Sequence, residues 1–388
     1  MVDEQRLLHS FLEMVRIPSL SRLEGEFLAY LKRQFDALGY EYKTDNASQA
    51  VGGNADNLVV YIPGNHAEAP ALMFSAHMDT VAPGEGIEPV VEGGRISSAS
   101  DTVLGADDKS GVAAIVEMAR LIRETDTPRG DVELLFTICE EVSLQGAKNL
   151  DRSLLSAKYG FVLDGKDIFA ATTIAPAVVR YAATFVGKEA HAGVAPEKGI
   201  NAVMLAARAI AAVPDGRIDE ETTCNVGVVE AGRGPNVVPP SAKVIGEMRS
   251  RNPAKLQKLQ DDIFCAYRKA VEGVEIEIDG KRHKASVGIE ITNSYPGMNV
   301  ADDAYSVGLV RRVLEGWGRD FTTVAGGGGT DANLHNGAGI EAIIIGTGMN
   351  DIHSADENIL LSDMAAATRL ILGIVIENAG ACGRIESP

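Results

Sequence analysis

"DVELLFTICEEVSLQGA", residues 131–147, decides how the chain is read. Val132, Leu134, Leu135, Phe136, Thr137 and Ile138 form a short β-branched and aromatic run, which predicts a buried strand. The run ends in two adjacent carboxylates, Glu140 and Glu141. Neighbouring side chains on an extended chain point to opposite sides, so the two acids are unsuited to one shared job. The plain alternative is a solvated loop that happens to open with surface acids. The sequence on either side has to decide between them.

Working outward, "NLVVYIP" (57–63), "ALMFSAHMDTV" (71–81) and "YGFVLDG" (159–165) are further short β-prone runs. "SGVAAIVEMARLIRE" (110–124) and "SLLSAK" (153–158) read as helices between them. "SRLEGEFLAYLKRQFDALGY" (21–40) reads as a helix with Ser21 and Glu24 at capping-box spacing and Phe27, Leu31, Phe35 and Leu38 on one face. Strands separated by helices predict an α/β domain: a mostly parallel sheet with helices on both faces. In such folds ligands gather beyond the carboxyl ends of the strands.

From about residue 177 the pattern changes to strand, helix, two strands, helix, strand: "VVRYAATFVG", "GINAVMLAARAIAAV", "CNVGVVEAG", "SAKVIGEMRS", "PAKLQKLQDDIFCAYRKAVE" and "VEIEIDG". That is a complete α+β unit. "DDAYSVGLVRRVLEGWG", "IEAIIIG" and "DMAAATRLILGIVIENAG" then resume the first pattern. The reading is a discontinuous first domain, 1–176 and 292–388, interrupted by an inserted α+β domain, 177–291.

The 388 residues, 45% hydrophobic and 23% charged, are enough for two domains with cores of their own. A formal net charge of −18 and a pI near 4.9 argue against nucleic acid or an anionic membrane as partner. Cys139, Cys224, Cys265 and Cys382 are widely spaced and form no CxxC pair. With an amphipathic, acid-bearing N-terminus and no apolar stretch of the ~18 residues needed to span a bilayer, the expectation is a reduced, cytoplasmic protein.

Five side chains fall at or just beyond predicted strand ends or in loops: His77 in "HMDT", Asp107 in "LGADDKSG", Glu141, Asp164 in "VLDG" and His353 in "NDIHSADENI". Singly each has an ordinary reading as a structural pair, a helix cap, a turn or a surface loop residue. Together, two imidazoles and three carboxylates suit divalent ions such as zinc, with cobalt or manganese as alternatives. One shared carboxylate would hold two metals ~3.5–4 Å apart. "AGGGGTDANLHNGAG" (325–339) lacks the Lys of a phosphate-binding loop and is not read as a nucleotide site.

These motifs, with "EEVSLQGA" and "GKEAHAGVAPEKGINAV", occur in an order in which the whole chain resembles the M20 metallopeptidases, in their peptidase T-like branch. The resemblance implies that His77, Asp107 and Asp164 hold one metal and Asp107, Glu141 and His353 the other. It implies that Glu140 is the general base and that Asp79 clamps His77. The residues alone leave open the reverse assignment of Glu140 and Glu141. It further implies that the inserted domain is a lid and dimerisation unit, whose His191 reaches the partner subunit's site to stabilise the oxyanion. Asn236 and Arg249 would bind substrate, and Gly327 and Gly328 would line it as a backbone wall supported by Asp331 and His335.

The expected activity is that of a tripeptide-type aminopeptidase working as a homodimer on small peptides. An N-acyl amino acid deacylase or a carboxypeptidase is the alternative, and a non-catalytic metal- or peptide-binding protein a more distant one. One departure stands out: Arg249 precedes "SRNP", where T-type tripeptidases usually carry a histidine and an acid.

Overall fold

The computed structural model describes residues 2–380. Two compact units make up the chain, one running to Ile174 and resuming at Asn299, the other Ala175–Met298.

In the first unit the strands Leu58–Ile62, Val132–Thr137, Leu72–His77, Tyr159–Gly165 and Glu341–Gly346 lie side by side in that order. Val132–Thr137, Leu72–His77, Tyr159–Gly165 and Glu341–Gly346 are mutually parallel. Glu41–Thr44 and Leu58–Ile62 at one edge, and Ala170–Ala175 beyond Glu341–Gly346, join antiparallel. The parallel centre is largely buried, with Leu72–His77 and Val132–Thr137 covered at every position. Continuous apolar runs of this kind are what a sheet covered on both faces requires.

Helix Ala106–Thr125 packs on Leu72–His77 and Tyr159–Gly165, flanked by Glu4–Arg16 and Leu361–Asn378. Phe74 stacks on Phe161 with ring centroids 5.2 Å apart, and Phe35 meets Phe136 at 5.6 Å. Alternation sends Val59, Met73 and Leu135 to the opposite face, where they pack with Leu150 and Ala157. "SLLSAK" is not a helix: only a three-residue 3-10 turn, Arg152–Leu154, forms before the next strand. Glu133 holds the rest extended by accepting from the Ser156 amide and hydroxyl and the Ala157 amide.

Helix Gly25–Leu38 buries Phe27, Leu31 and Phe35 as its spacing predicts. Ser21 and Glu24 do not form the expected capping box, and Glu24 makes no side-chain cap. Ser21 donates to Asp79 at 2.7 Å, and buried Glu24 accepts the Cys139 amide at 3.0 Å. Glu24 keeps one local partner, the Arg22 amide at 3.0 Å.

The second unit is an antiparallel sheet ordered Gly216–Arg217, Thr222–Ala231, Ser241–Ser250, Ala177–Val186 and Ser286–Tyr295. Helices Ala202–Ala211 and Pro253–Lys269 close its core around Tyr181, Phe185, Phe264 and Tyr267. The expected last strand, "VEIEIDG", instead forms a separate hairpin, Glu275–Ile278 with Lys281–Lys284. The sheet's fifth strand runs to Tyr295, so the unit closes at Met298 rather than at 291.

Among the described residues no helix is long and apolar enough to cross a membrane. Cys139, Cys224 and Cys265 are unpaired, the first two buried. Cys382 lies outside the described residues.

Candidate metal centre

Because four neighbouring strands are parallel, their carboxyl ends share one edge of the sheet. His77 ends Leu72–His77, Asp164 stands near the end of Tyr159–Gly165, and the Glu140–Glu141 pair follows Val132–Thr137. Asp107 enters from the start of helix Ala106–Thr125, where Asp107 and Asp108 leave helical geometry and the peptide between them is cis.

His77, Asp107 and Glu141 bring one ligand atom each to within 4.8 Å of one another. Asp107 is the hub: its Oδ1 lies 3.0 Å from His77 Nε2 and its Oδ2 3.2 Å from His353 Nε2. His353 Nε2 also lies 2.8 Å from Glu141 Oε1. His77 Nδ1 donates to the Asp79 carbonyl at 2.8 Å, which leaves Nε2 as the ring atom that faces Asp107. The backbone of His77 is fixed too, its amide donating to Asp108.

The Asp79 carboxylate stands 3.5 Å from His77 Nδ1. Its closer contacts are the amides of Glu140 (2.9 Å) and Glu141 (3.2 Å) and the hydroxyl of Ser21 (2.7 Å). The acid loop as a whole is pinned from outside. Four successive amides, 138 to 141, are accepted in turn by Asn57, Glu24, Asp79 and Asp79. Within and beside that run Cys139, Ser143 and Leu144 hold positive φ without being glycine, a conformation that persists only where the surroundings impose it.

The electrostatics are those of a cation site. Burial, then Asp107, Glu141 and Asp331, push the Asp164 carboxyl well above its ordinary range. Burial, then Asp164, Asp331 and Glu141, do the same to Glu140. Burial alone would lower His77, but Asp107 and Asp79 outweigh it and raise it. Hydrogen bonds to Asp107 and Glu141 lift His353 to about 10. Crowded carboxylates with imidazoles drawn toward the protonated state mark a place where positive charge is needed. The donor set, imidazole nitrogen and carboxylate oxygen, fits a divalent ion of the zinc type.

Gly111 lets helix Ala106–Thr125 approach this edge. A Cβ there would collide with Asp108 Oδ1 and lie 2.8 Å from the Leu163 carbonyl. Gly111→Ala is therefore expected to cost about 1–3 kcal/mol of stability by overpacking. Chemical denaturation of the metal-free protein measures it, and an unchanged midpoint would contradict the contact.

Other sequence-selected residues lie on neighbouring or separate elements. Asp331 accepts from Thr137 Oγ1 at 2.6 Å, and burial lifts its carboxyl to about 6. His335 is buried, and burial lowers it to about 4. A Cβ added at Gly327 or Gly328 meets nothing within 4 Å, so the chain's own packing does not demand glycine there. In the second unit, the two-residue strands Ala190–His191 and Val237–Val238 pair, and the Asn236 carbonyl accepts the Ala192 amide at 2.9 Å. That ribbon holds His191 beside Asn236. Arg249, elsewhere on the same unit, is ion-paired to Glu247 at 2.7 Å, which also pairs with Arg180.

The sequence reading missed Glu24 and Asn57, which shape the acid loop, and Glu357, which is 1% exposed and accepts the amides of Gly105 and Asp107. Only Glu357 had a signal, its place four residues after His353.

Residues 73–377 match the model of peptidase family M20/M25/M40. The chain is 37% identical over 380 residues to an uncharacterised Bacillus subtilis protein, YqjE, covering 98% of this chain and 100% of that one. The crystal structure of aminopeptidase PepT from Bacillus cereus is similar at 36% identity and a TM-score of 0.86, with 97% and 99% of the two chains covered. That of a Staphylococcus aureus tripeptidase is similar at 33% identity and a TM-score of 0.89, with 98% and 100% covered.

Proposed function

We propose that this chain, which belongs to peptidase family M20/M25/M40, is a metallopeptidase that releases the N-terminal residue of tripeptides with the help of two divalent ions. One observation carries the reading: Asp107 has an imidazole on each carboxylate oxygen, as a carboxylate shared between two metal positions must. The full-length similarity to an aminopeptidase and a tripeptidase supports the substrate class.

His77, Asp107 and Asp164 would hold one ion, and Asp107, Glu141 and His353 the other. Zinc ions there, or cobalt or manganese, would supply Lewis-acid polarisation of the scissile carbonyl and bring the pKa of water near neutrality. Asp79 positions the two acids by gripping their amides. Glu140, whose proton affinity is raised by burial and by Asp164, takes a proton from the attacking water and returns it to the leaving amine.

His191 is the oxyanion donor. Its Nδ1 accepts the Gly193 amide at 3.2 Å, which leaves the proton on the exposed Nε2. The working form is a homodimer through the second unit, in which each His191 serves the partner's site. Asn236 and Arg249 hold the substrate, Arg249 through its terminal carboxylate. Gly327 and Gly328 line it, which gives a reason for glycine where internal packing gives none.

The test is a panel of unblocked di- and tripeptides and N-acyl amino acids, offered to metal-loaded protein and read by mass spectrometry. Release of the N-terminal residue from tripeptides, lost on chelation and restored by metal, is the expected result. Ser250 and Arg251 follow Arg249 where T-type tripeptidases usually carry a histidine and an acid, a departure that bears on tripeptide specificity, and the second reading is a deacylase or carboxypeptidase. Cleavage of blocked amino acids, or release from the carboxyl end, would establish that one instead.

A further inference from the structure

Glu357 is buried without being among the donor groups of the centre, and both of its oxygens are committed. Its Oε1 accepts the Asp107 amide at 2.9 Å and its Oε2 the Gly105 amide at 2.8 Å. These two N–H groups converge because Gly105 is left-handed, φ 76°, directly before the helix start, and successive amides in such a turn make a seat for an anion. A carboxylate with two acceptor oxygens fills that seat. An amide side chain has one.

The loop that carries Glu357 also carries His353. It is closed on itself: Asn350 and Asn358 exchange backbone hydrogen bonds, and the Asn358 side chain donates to Asp351 and to the Asp356 carbonyl. The Glu357 amide donates to Ser354 within the same turn, and strand Asn358–Leu360 begins directly after it. One closed loop therefore grips Asp107 twice, at its carboxylate through His353 and at its backbone through Glu357.

From this geometry we infer that Glu357 is a positioning residue for Asp107, fixing the backbone from which that carboxylate reaches both imidazoles. The inference rests on the metal-centre reading and adds to it a residue that would touch neither metal nor substrate. Removing one of its two acceptor oxygens releases the 105–107 turn, so the cost falls on metal affinity before it falls on the fold.

The experiment compares wild type, Glu357→Gln and Glu357→Asp with Glu117→Gln. Glu117 is a fully buried carboxylate on the same helix, bound to Arg6 at 2.6 and 2.9 Å, and stands as the comparator for loss of a buried acid. Zinc affinity is read by competition with a chromogenic chelator, site geometry by the visible spectrum of the cobalt form, and stability by melting of the metal-free protein. Glu357→Gln is expected to weaken zinc roughly 10- to 100-fold, the usual effect of losing an outer partner of a ligand, and to alter the cobalt spectrum. Glu117→Gln lowers the melting temperature while leaving affinity and spectrum native. Glu357→Asp keeps the charge but is too short to span both amides, and gives a smaller loss if Glu357→Gln does not fold. Native affinity and spectrum in a folded Glu357 variant, or an equal affinity loss in Glu117→Gln, overturns the inference while leaving the metal centre standing. Wild-type protein that takes up no divalent metal overturns both.

Discussion

Glu140→Gln is expected to lower kcat by roughly 10²–10⁴, the usual contribution of a general base, with KM and divalent-metal content near native. The expectation follows from where the two neighbouring acids are held. Asp79 accepts both of their amides, so a side-chain change at 140 leaves the loop in place. Glu140 is set among Asp164, Asp331 and Glu141, which with burial raise its proton affinity. Glu141 instead lies 2.8 Å from His353 Nε2 and falls within the His77 and Asp107 group. Glu141→Gln should therefore lose metal first and activity as a consequence. Steady-state kinetics together with metal analysis of dialysed protein separate the two variants. Were they to exchange behaviours, the roles of the adjacent acids would be reversed.

Asp107→Ala is expected to bring activity to background and bound metal below one ion per chain. No other carboxylate has an imidazole on each oxygen among the described hydrogen bonds, so its removal strikes both positions together. A donor serving one position alone would leave the other ion in place. Equilibrium dialysis followed by elemental analysis distinguishes the cases. One tightly held ion with full activity would sink the shared-carboxylate reading. His77 and His353 also lose the partner that raises their pKa, so the variant's imidazoles should titrate lower than those of the metal-free wild type.

What the sequence makes legible is local. The apolar runs at 58–62, 72–77, 132–137, 159–165 and 341–346 become the sheet because continuous β-branched and aromatic segments are stable only when covered on both faces. His77, Asp164 and Glu141 could be picked out as candidates because parallel strands send the residues at or just beyond their carboxyl ends to one edge, whereas Asp107 enters from a helix start and His353 from a loop. Longer-range work is not written in local pattern. Ser21 and Glu24 have the spacing of a helix cap, yet Ser21 donates to a residue 58 positions away and Glu24, besides the nearby Arg22 amide, accepts an amide 115 positions away. Glu357 looks like a loop acid until the fold places it against amides 250 residues upstream. The fifth strand of the second unit, Ser286–Tyr295, carries Gly288, Glu290, Asn293 and Ser294, too polar for a buried-strand signal, and its partner Ala177–Val186 fixes it instead.

The four amides at 138–141 have a consequence for transplanting this chemistry. The conformation that presents Glu140 and Glu141 is dictated by Glu24, Asn57 and Asp79, three separate side chains that lie 61 to 115 residues before the amides they bind. A designer who copied "EEVSLQGA" alone onto another sheet would copy the reactive groups and leave behind the instructions for their shape. The left-handed Cys139, Ser143 and Leu144 would then relax to ordinary backbone angles, and the two acids would drift apart from their tasks. The smallest portable unit is thus a discontinuous one, in which positions 24, 57 and 79 travel with the motif or the motif does not function.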